Sequence, residues 1–253
     1  MVRGIIYARE GYVTAELDYS QLELRIVAEF SKDPSMIEAY KSGSDLHTKT
    51  MELIYGHEEG IDADTAKQHR VNAKSLNFGL VYGMQAKSYK DYAKGYGLNL
   101  TLKEAESMRN DFFEAYDTLP AWHKKNINFA QSYGYVESPI GRKRFLRDIW
   151  SDDWFKRSSA ERQALNSAVQ GFGSDLCTSA MADIVYSDKI DHSKCRVIGT
   201  VHDAILLEIT EDYAEEATTI VKDIMENPSI LKGIKMEVPL VADVEIGKGW
   251  GLH

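Results

Sequence analysis

The stretch that decides the fold is Arg196-Val-Ile-Gly-Thr-Val201-His202-Asp203-Ala204-Ile205-Leu-Leu-Glu-Ile209. Its two halves, residues 196–201 and 205–209, are rich in aliphatic and β-branched side chains, and a short segment separates them. Two such runs joined by a short turn are typical of an antiparallel β-hairpin. The sequence therefore predicts two paired strands that hold the carboxylate of Asp203 at their tip.

A second carboxylate, Asp18, follows another predicted strand near the start of the chain. Residues 5–7 and 13–17 are predicted to be two short strands around a turn, and a helical pattern begins at Gln21. If the strands share one sheet, Asp18 and Asp203 meet and offer the oxygen ligands that Mg²⁺ prefers. Asp is also a common turn residue, so the residues alone leave a purely structural role open.

The rest of the chain alternates between helical and extended patterns. Residues 45–133 are almost entirely helical in pattern, and residues 159–186 return to a long helical pattern that is broken by Gly171 and Gly173. The remaining predicted elements are a strand pair in 135–142, a helix in 213–225 and a last strand in 240–246. Sheet and helix at both ends of the chain, with a helical middle, predict an α+β fold.

One predicted helix carries an unusual stripe of side chains. In Arg70-Val-Asn-Ala-Lys74-Ser-Leu-Asn-Phe78-Gly-Leu-Val-Tyr82-Gly83, every fourth residue from Arg70 to Tyr82 falls on one side of the helix. Two cations one turn apart repel each other unless an anion binds them, and a triphosphate is such an anion. The aromatic residues that follow can meet a sugar or a base. The alternative is an amphipathic helix whose Phe78 and Tyr82 belong to the core.

Composition bounds the class of protein. The chain has 253 residues, 43% of them hydrophobic, which is enough to bury the core of one large or two modest domains. It has no apolar run that would span a membrane and no signal-peptide pattern, so we expect a cytoplasmic protein without a membrane partner. Cys177 and Cys195 lack the spacing of a metal site and are expected to be reduced core thiols.

The net charge of -9 argues against a protein that grips nucleic acid through its overall charge, because binding phosphates requires clustered cations. Positive charge is nevertheless concentrated at Arg142-Lys143-Arg144, with Arg147, Lys156-Arg157 and Arg162 nearby. A solvated charged face and a nucleic-acid contact both remain open for this cluster.

Together, these segments resemble the three polymerase motifs of the DNA polymerase I family, also called family A. Asp18-Tyr-Ser-Gln-Leu-Glu-Leu-Arg25 resembles the first palm motif, residues 70–83 resemble the fingers motif, and Val201-His202-Asp203 resembles the last palm motif. The three motifs occur along the chain in the same order as in the family. Further matching segments are Asp45-Leu-His47-Thr, 134–144, 161–166 and 169–171, and the resemblance extends from Arg3 to Trp250.

The resemblance implies the right-hand architecture of a polymerase. Residues 1–32 and 159–253 would form the palm, an antiparallel sheet with helices, and residues 33–158 would form a helical fingers subdomain. The family's thumb is absent from this sequence. We therefore expect either an expressed fragment or, preferably, a naturally split polymerase in which a second polypeptide supplies the thumb, the remaining palm and, where present, a 3'-5' exonuclease.

The resemblance also implies an activity, the template-directed addition of dNTPs to a primer 3'-hydroxyl. Asp18 and Asp203 would bind two Mg²⁺ ions, with the backbone carbonyl of Tyr19 as a further ligand. Lys74 would act as the general acid for the leaving pyrophosphate.

For the incoming nucleotide, the resemblance implies contacts from several residues of the first palm motif and the fingers. Glu23 would occupy the space of a ribose 2'-hydroxyl and so favour dNTPs, and Phe78, which lacks a hydroxyl, would discriminate against dideoxynucleotides. The full set is Gln21, Glu23, His47, Arg70, Lys74 and Phe78.

For the DNA primer-template, the resemblance implies a second set of contacts. Tyr82 would stack at the template position, and Arg162, Asn166, Gln170 and His202 resemble minor-groove and primer-end contacts. Minor-groove acceptors that all correct base pairs share can be tested there without reading the sequence.

One position departs from the family pattern. The last motif of the family reads His-Asp-Glu, and here Ala204 replaces the Glu. Because Asp203 is present, we expect activity to be kept with an altered metal dependence. Two other interpretations stay open: an inactive polymerase-like module that binds DNA or a replisome partner, and an unrelated metal-dependent phosphohydrolase built around His202-Asp203.

Overall fold

The structure is a computed structural model of the chain, and it describes residues 6–56 and 61–251. Ile5, which begins a predicted strand, and Arg3, where the family resemblance begins, lie outside the described residues, as do the extreme ends of the predicted palm segments.

The strands form one four-stranded sheet and one two-stranded sheet. They are β1 (Tyr12–Tyr19), β2 (Tyr135–Glu137), β3 (Lys143–Phe145), β4 (Cys195–Val201), β5 (Ala204–Thr210) and β6 (Ala242–Gly247). The larger sheet has the order β4-β5-β1-β6 and is antiparallel throughout, and β2 pairs with β3. An antiparallel sheet combined with helices confirms the predicted α+β class.

Strand β1 lies inside the larger sheet, and the alternation of its side chains suits that position. Ala15 and Leu17 are fully buried, whereas Asp18 points to the other face and is exposed. The residues opposite Asp18 are Ala204 in β5 and Asp243 in β6. Because register partners lie on the same face of a sheet, these three residues form one row across three strands.

The predicted hairpin at Asp203 is confirmed. Val201 pairs with Ala204, so His202 and Asp203 form a two-residue turn between β4 and β5. His202 has a φ of 57°, and a positive φ is typical of tight hairpin turns. The turn is anchored to β1, because the amide of Tyr19 donates a long hydrogen bond of 3.5 Å to the carbonyl oxygen of Asp203.

The predicted strand at residues 5–7 is reduced to a single described bridge. Tyr7 pairs with Gly249, while β1 takes both of its neighbours from the C-terminal part of the chain. A local alternation pattern contains no information about partners so distant in sequence, which is why the pairing was not predictable.

The helical middle of the chain is confirmed. The helices are α1 (Leu22–Ser31), α2 (Pro34–Lys41), α3 (Leu46–Tyr55), α4 (Ala63–Leu80), α5 (Ala86–Ala93), α6 (Leu102–Ala115), α7 (Thr118–Tyr133), α8 (Trp154–Val185) and α9 (Ala214–Glu226). Asp33, Asp45 and Asp62 cap α2, α3 and α4 by accepting hydrogen bonds from backbone amides of the first turn. These caps fix where each helix begins.

Helix α8 is continuous where the sequence predicts a break. It runs through Gly171 and Gly173 without interruption. A glycine in a helix interior costs about 1 kcal/mol relative to alanine. The complete burial of Phe172 and Leu176 outweighs that cost, since each large apolar side chain contributes about 1.5–3 kcal/mol.

The chain divides into two compact units. The first comprises Met1–Leu22 and Gly171–His253 and contains the four-stranded sheet, and the second, Glu23–Gln170, contains α2 to α7 and the β2-β3 pair. The sequence places the borders of palm and fingers at 32/33 and 158/159 instead, so the two divisions differ in the treatment of α1 and of the first half of α8. The assignment of palm and fingers stays a prediction.

Two smaller expectations concern membranes and cysteines. Among residues 6–56 and 61–251, no helix is both long enough and apolar enough to cross a membrane. Cys177 and Cys195 are buried and not in a disulfide, and burial raises the pKa of both thiols. They are core thiols, as predicted.

Replacing Gly134 with Ala is expected to destabilise the second unit. Gly134 ends α7 with a φ of 75°, which costs an L residue about 1–2 kcal/mol. An added Cβ would also lie 2.4 Å from the ring of Trp150. In urea denaturation we expect the free energy of unfolding to fall by about 2–3 kcal/mol.

The matched control is Gly43→Ala. Gly43 has a similar φ of 73° but no atom within 4 Å of the added Cβ, so this variant reports the backbone cost alone. Equal losses in the two variants would show that the contact with Trp150 contributes nothing.

Candidate active site

Asp18 and Asp203 lie side by side in the first compact unit. The pairing of β1 with β5 sets Asp18 opposite Ala204, the residue next to Asp203. Asp203 is close enough for its charge to raise the pKa of Asp18. The strands next to Asp18 and Asp203 therefore belong to one sheet, which brings the two residues together as the sequence predicts.

This arrangement changes the acidity of Asp18. Its pKa is raised to about 6, first because the sheet desolvates the carboxyl and then because Asp203, Glu16 and Asp243 add negative charge. The Asp18 side chain still reaches solvent, so burial alone is not the whole cause. A cation close to Asp18 would favour its ionised form and oppose this shift.

The donor chemistry of this pair suits a hard divalent cation, which prefers one or two carboxylates completed by water and substrate oxygens. Tyr19 does not offer its side chain, because the ring is buried and the hydroxyl donates to the carbonyl of Met225 at 2.6 Å. Ala204, buried beside Asp18, has no side-chain oxygen to offer. In the described part of the chain, no group of three or more His, Cys, Asp or Glu side chains is placed to hold a metal ion.

Sequence reasoning missed Asp243. It faces Asp18 across the β1-β6 pair, is exposed, and is one of the charges that raise the pKa of Asp18. Its only local signal is its position in the predicted strand 240–246. That strand pairs with the other end of the chain, so the pattern could not connect it to Asp18.

In the second unit, the cationic stripe of α4 is present on an exposed face. Arg70, Lys74 and Phe78 are exposed, whereas Leu76 and Leu80 are fully buried. Phe78 retains 39% of its exposure, so the alternative in which it belongs to the core is wrong for this residue. The stripe is available to a ligand.

Arg70 has a partner that its position in the sequence does not reveal. One terminal nitrogen lies 2.6 Å from a carboxylate oxygen of Asp45 and 2.6 Å from the hydroxyl of Thr48, both in the first turn of α3 and its cap. The repulsion between the two cations of α4 is therefore offset in part by the carboxylate of Asp45. Lys74 makes no ion pair within the described residues, and its charge remains for an anion.

His47, on α3, lies beside Phe78 of this stripe. Its ring is buried and lies 5.3 Å from the ring of Phe78, centroid to centroid. Burial lowers the pKa of His47; the charge of Asp45 opposes this, and those of Arg70 and Lys74 reinforce it. The ring is thus favoured in its neutral form.

Glu23 and Tyr82 form a direct hydrogen bond. The Tyr82 hydroxyl donates to a carboxylate oxygen of Glu23 at 2.7 Å. Burial and the charge of Glu23 raise the pKa of Tyr82, so the hydroxyl keeps its proton and remains a donor. The contact fixes the direction in which the Glu23 carboxylate points.

A cavity of about 340 Å³ brings five predicted residues together in the second unit. The predicted residues in its wall are Phe78, Tyr82, Arg162, Asn166 and Gln170. The Oδ1 atom of Asn166 is buried and has no hydrogen-bond partner within the described residues. A buried polar atom without a partner costs free energy, which favours a ligand contact at this wall.

The same wall contains residues that sequence reasoning did not assign, above all Arg144 and Gln163. Gln163 was recognisable, because it lies three and seven positions before Asn166 and Gln170 on one helix face. Arg144 was recognised in a basic cluster and in the matching segment 134–144, but it was given no role. A larger cavity of about 550 Å³ lies elsewhere in this unit and contains none of the predicted residues.

Gln21 and His202 are in the first unit. Each has a left-handed backbone, with φ values of 53° and 57°. Gln21 connects β1 to α1, and His202 precedes Asp203 in the hairpin turn. Their assigned contacts with nucleotide and DNA stay predictions.

The raised pKa of Asp18 predicts a pH-dependent gain in stability for Asp18→Asn. Because the folded carboxyl binds its proton more tightly than the unfolded one, wild-type stability falls as the pH rises from about 4 to about 6. Asp18→Asn has no carboxyl group at this position, so it does not undergo this loss of stability. In EDTA we expect its melting temperature to exceed that of the wild type at about pH 8, with no excess at about pH 4.

The control for this comparison is Asp188→Asn, which alters an exposed aspartate of the same unit. A gain of equal size at both pH values, or one shared by the control, would contradict the raised pKa of Asp18.

The sequence model of DNA polymerase family A matches residues 1–252 of the chain. Among curated proteins, DNA polymerase I of Caldicellulosiruptor bescii is 35% identical over 251 residues, covering 99% of this chain and 28% of that protein. The thermostable DNA polymerase I of Thermus filiformis is 33% identical over 249 residues, covering 98% and 28%. The chain thus spans less than a third of the length of these relatives.

A solved structure resembles the chain closely. The POL domain of Pol1 from M. smegmatis, in complex with a DNA primer-template and dNTP, has a TM-score of 0.85 and 28% sequence identity, covering 98% of this chain and 42% of that one. The motif order, the α+β fold and the match over nearly every residue agree, and the chain belongs to DNA polymerase family A.

Proposed function

We propose that this chain is the catalytic portion of a template-directed DNA polymerase that adds dNTPs to a primer 3'-hydroxyl by two-metal phosphoryl transfer. The observation that carries the proposal is the pair of neighbouring carboxylates, Asp18 and Asp203, in a chain of family A. The POL domain that resembles it binds a primer-template and dNTP, which supports the same ligands here.

Asp18 and Asp203 are the residues that would hold magnesium, with the backbone carbonyl of Tyr19. When bound, Mg²⁺ lowers the pKa of the attacking hydroxyl and neutralises the charge of the leaving phosphates. The protein's own contribution is to keep two carboxylates at one place in the sheet despite their repulsion, since β5 and β6 both pair with the strand that carries Asp18. Asp243 adds negative charge at the same place.

The exposed face of α4 would bind the triphosphate. Lys74, which has no ion pair within the described residues, would contact the phosphates and protonate the leaving pyrophosphate. Arg70 uses one terminal nitrogen for Asp45 and Thr48, which leaves other N–H groups of its guanidinium to reach a phosphate. His47 would add a directional hydrogen bond.

Glu23 and Phe78 would select the sugar. The hydrogen bond from Tyr82 holds the Glu23 carboxylate in one direction, as a rigid barrier to a 2'-hydroxyl requires. Phe78 offers an apolar exposed ring and no hydroxyl, which is the basis for the proposed discrimination against dideoxynucleotides.

The polar wall of the 340 Å³ cavity would contact DNA through Arg162, Asn166 and Gln170, with Tyr82 stacking on the template base. His202 would meet the primer end. A second polypeptide would supply the thumb, the remaining palm and, where present, a 3'-5' exonuclease, since the family resemblance assigns duplex binding to the thumb and palm.

Two other functions were left open by the residues alone. An unrelated phosphohydrolase is disfavoured, because the family match includes the Arg70–Tyr82 stripe that such an enzyme would not need. An inactive module that binds DNA or a replisome partner predicts no extension under any condition. The assay that follows separates these functions.

In a primer-extension assay with Mg²⁺ and dNTPs, run with and without a candidate thumb-bearing partner, we expect template-dependent extension by the wild-type chain. Asp18→Asn and Asp203→Asn should each reduce it by at least about 1000-fold, because each removes a ligand of the catalytic cations. Asp188→Asn, in the same unit, should extend like the wild type. Extension that survives both substitutions would contradict the assignment.

A Mg²⁺ titration of the same assay addresses Ala204. The wild type should extend, and Ala204→Glu should shift the Mg²⁺ concentration that gives half-maximal rate, since it places a third carboxylate beside Asp18. An inert wild type together with an active Glu variant would show that Ala204 is not tolerated.

Removing the Glu23 side chain should admit ribonucleotides. In Glu23→Ala, we expect the ratio of rNTP to dNTP incorporation to rise by at least about 10-fold, because the barrier to the 2'-hydroxyl is gone. Tyr82→Phe, which frees Glu23 from its donor, should give a smaller rise. Glu38→Ala, at an exposed glutamate of α2, is the control, and an unchanged ratio in Glu23→Ala would refute the role of Glu23.

A further inference from the structure

His47 is linked to a chain of buried polar groups behind the exposed face of α4. Its Nδ1 atom lies 2.9 Å from the Nδ2 atom of Asn77, which is also on α4. Both residues are buried: 6% of the His47 surface and 1% of the Asn77 surface remain exposed. At a buried position it matters which atom of each hydrogen bond carries the proton, because an unsatisfied donor or acceptor costs about 1–3 kcal/mol.

The other end of the Asn77 amide is held by a threonine. The Thr50 hydroxyl donates to Oδ1 of Asn77 at 3.0 Å and to the carbonyl oxygen of Leu46 at 2.8 Å. Its single proton is shared between these acceptors, so the Tyr116 hydroxyl, 2.7 Å away, is the donor in its contact with Thr50. With Oδ1 engaged, Asn77 can offer His47 only an N–H group.

We propose that Asn77, oriented by Thr50 and Tyr116, holds His47 as the neutral tautomer that carries its proton on Nε2. An N–H from Asn77 requires a bare Nδ1, so the ring proton must be on the other nitrogen. Asn77 is then a positioning residue for the nucleotide contact, and this part of the inference rests on the proposed function. The assignment of the tautomer does not depend on the proposed function.

The charges around His47 agree with a neutral ring. Burial, Arg70 and Lys74 disfavour the imidazolium, and Asp45 alone favours it, while Asp45 is already paired with Arg70. An imidazolium would also place an Nδ1–H against the N–H of Asn77. The cations of α4 would therefore supply the charge for a triphosphate, and His47 would supply a fixed donor whose strength is independent of pH in the physiological range.

The direct test is NMR of the wild-type chain labelled with ¹⁵N-histidine, in which long-range nitrogen-proton couplings distinguish the two neutral tautomers and the imidazolium. The His47 signals are identified by their loss in His47→Gln. We expect a neutral ring with its proton on Nε2 from about pH 6 to about pH 8. A proton on Nδ1, or an imidazolium at about pH 7, would overturn the proposal.

Asn77→Asp is the informative variant, because a carboxylate of nearly the same shape can only accept from Nδ1. We expect the His47 ring to become cationic within the same pH range. If this variant does not fold, Thr50→Val serves in its place. It removes the hydroxyl that orients the amide, and the Nε2 tautomer should then lose its exclusive population. An Nε2 tautomer that persists in either folded variant would contradict the role of Asn77.

Binding of dTTP with Mg²⁺ gives the functional readout. We expect the ratio of dissociation constants, Asn77→Asp over wild type, to change by about 3-fold or more between about pH 6 and about pH 8, and the ratio cancels the ionisation of the nucleotide itself. A constant ratio would refute the coupling. A wild type with the Nε2 tautomer that binds no dTTP would refute the proposed function and leave the tautomer standing.

Discussion

The arrangement of this molecule depends on one electrostatic constraint, the proximity of the Asp18 and Asp203 carboxylates. Antiparallel pairing of β1 with β5 sets them together, and the pairing of β1 with β6 adds Asp243 to the same row. Desolvation by the sheet raises the pKa of Asp18 first, and the repulsion by Asp203, Glu16 and Asp243 raises it further. The apolar burial of Ala15, Leu17 and the other inward residues of the sheet offsets this repulsion, so the protein maintains a site that a divalent cation would stabilise.

The second unit follows a related principle on a helix. The inward side of α4 is packed by Leu76 and Leu80 and by the polar chain through Asn77, whereas its outward side presents cations and an aromatic ring. The hydrogen bonds of Asn77 with Thr50 and His47 restrain the buried side of this helix. Lys74 remains without an ion partner within the described residues, while Arg70 is restrained by Asp45.

Much of this was predictable, and the limits have physical causes. Short-range patterns identified the Asp203 hairpin, the α4 stripe and the helical middle, because period and turn chemistry are local, but they left open whether Phe78 is exposed. Three features escaped: the pairing of β1 with β6 that brings in Asp243, the ion pair between Arg70 and Asp45, and the continuity of α8 through Gly171. Each depends on contacts distant in sequence or on burial, which a local pattern does not contain. The roles of the site residues came from the family motifs, and the family itself is shown by the match over residues 1–252.

The central claim is that Asp18 and Asp203 form a divalent-cation site, and electron paramagnetic resonance with Mn²⁺ in place of Mg²⁺ tests it most directly. Free Mn²⁺ gives a strong signal that is lost on binding, so a titration of the folded chain counts bound ions without reference to catalysis. The account predicts that the wild type binds Mn²⁺ and that a variant carrying both Asp18→Asn and Asp203→Asn, shown to be folded, does not. Equal binding by the two proteins would contradict it.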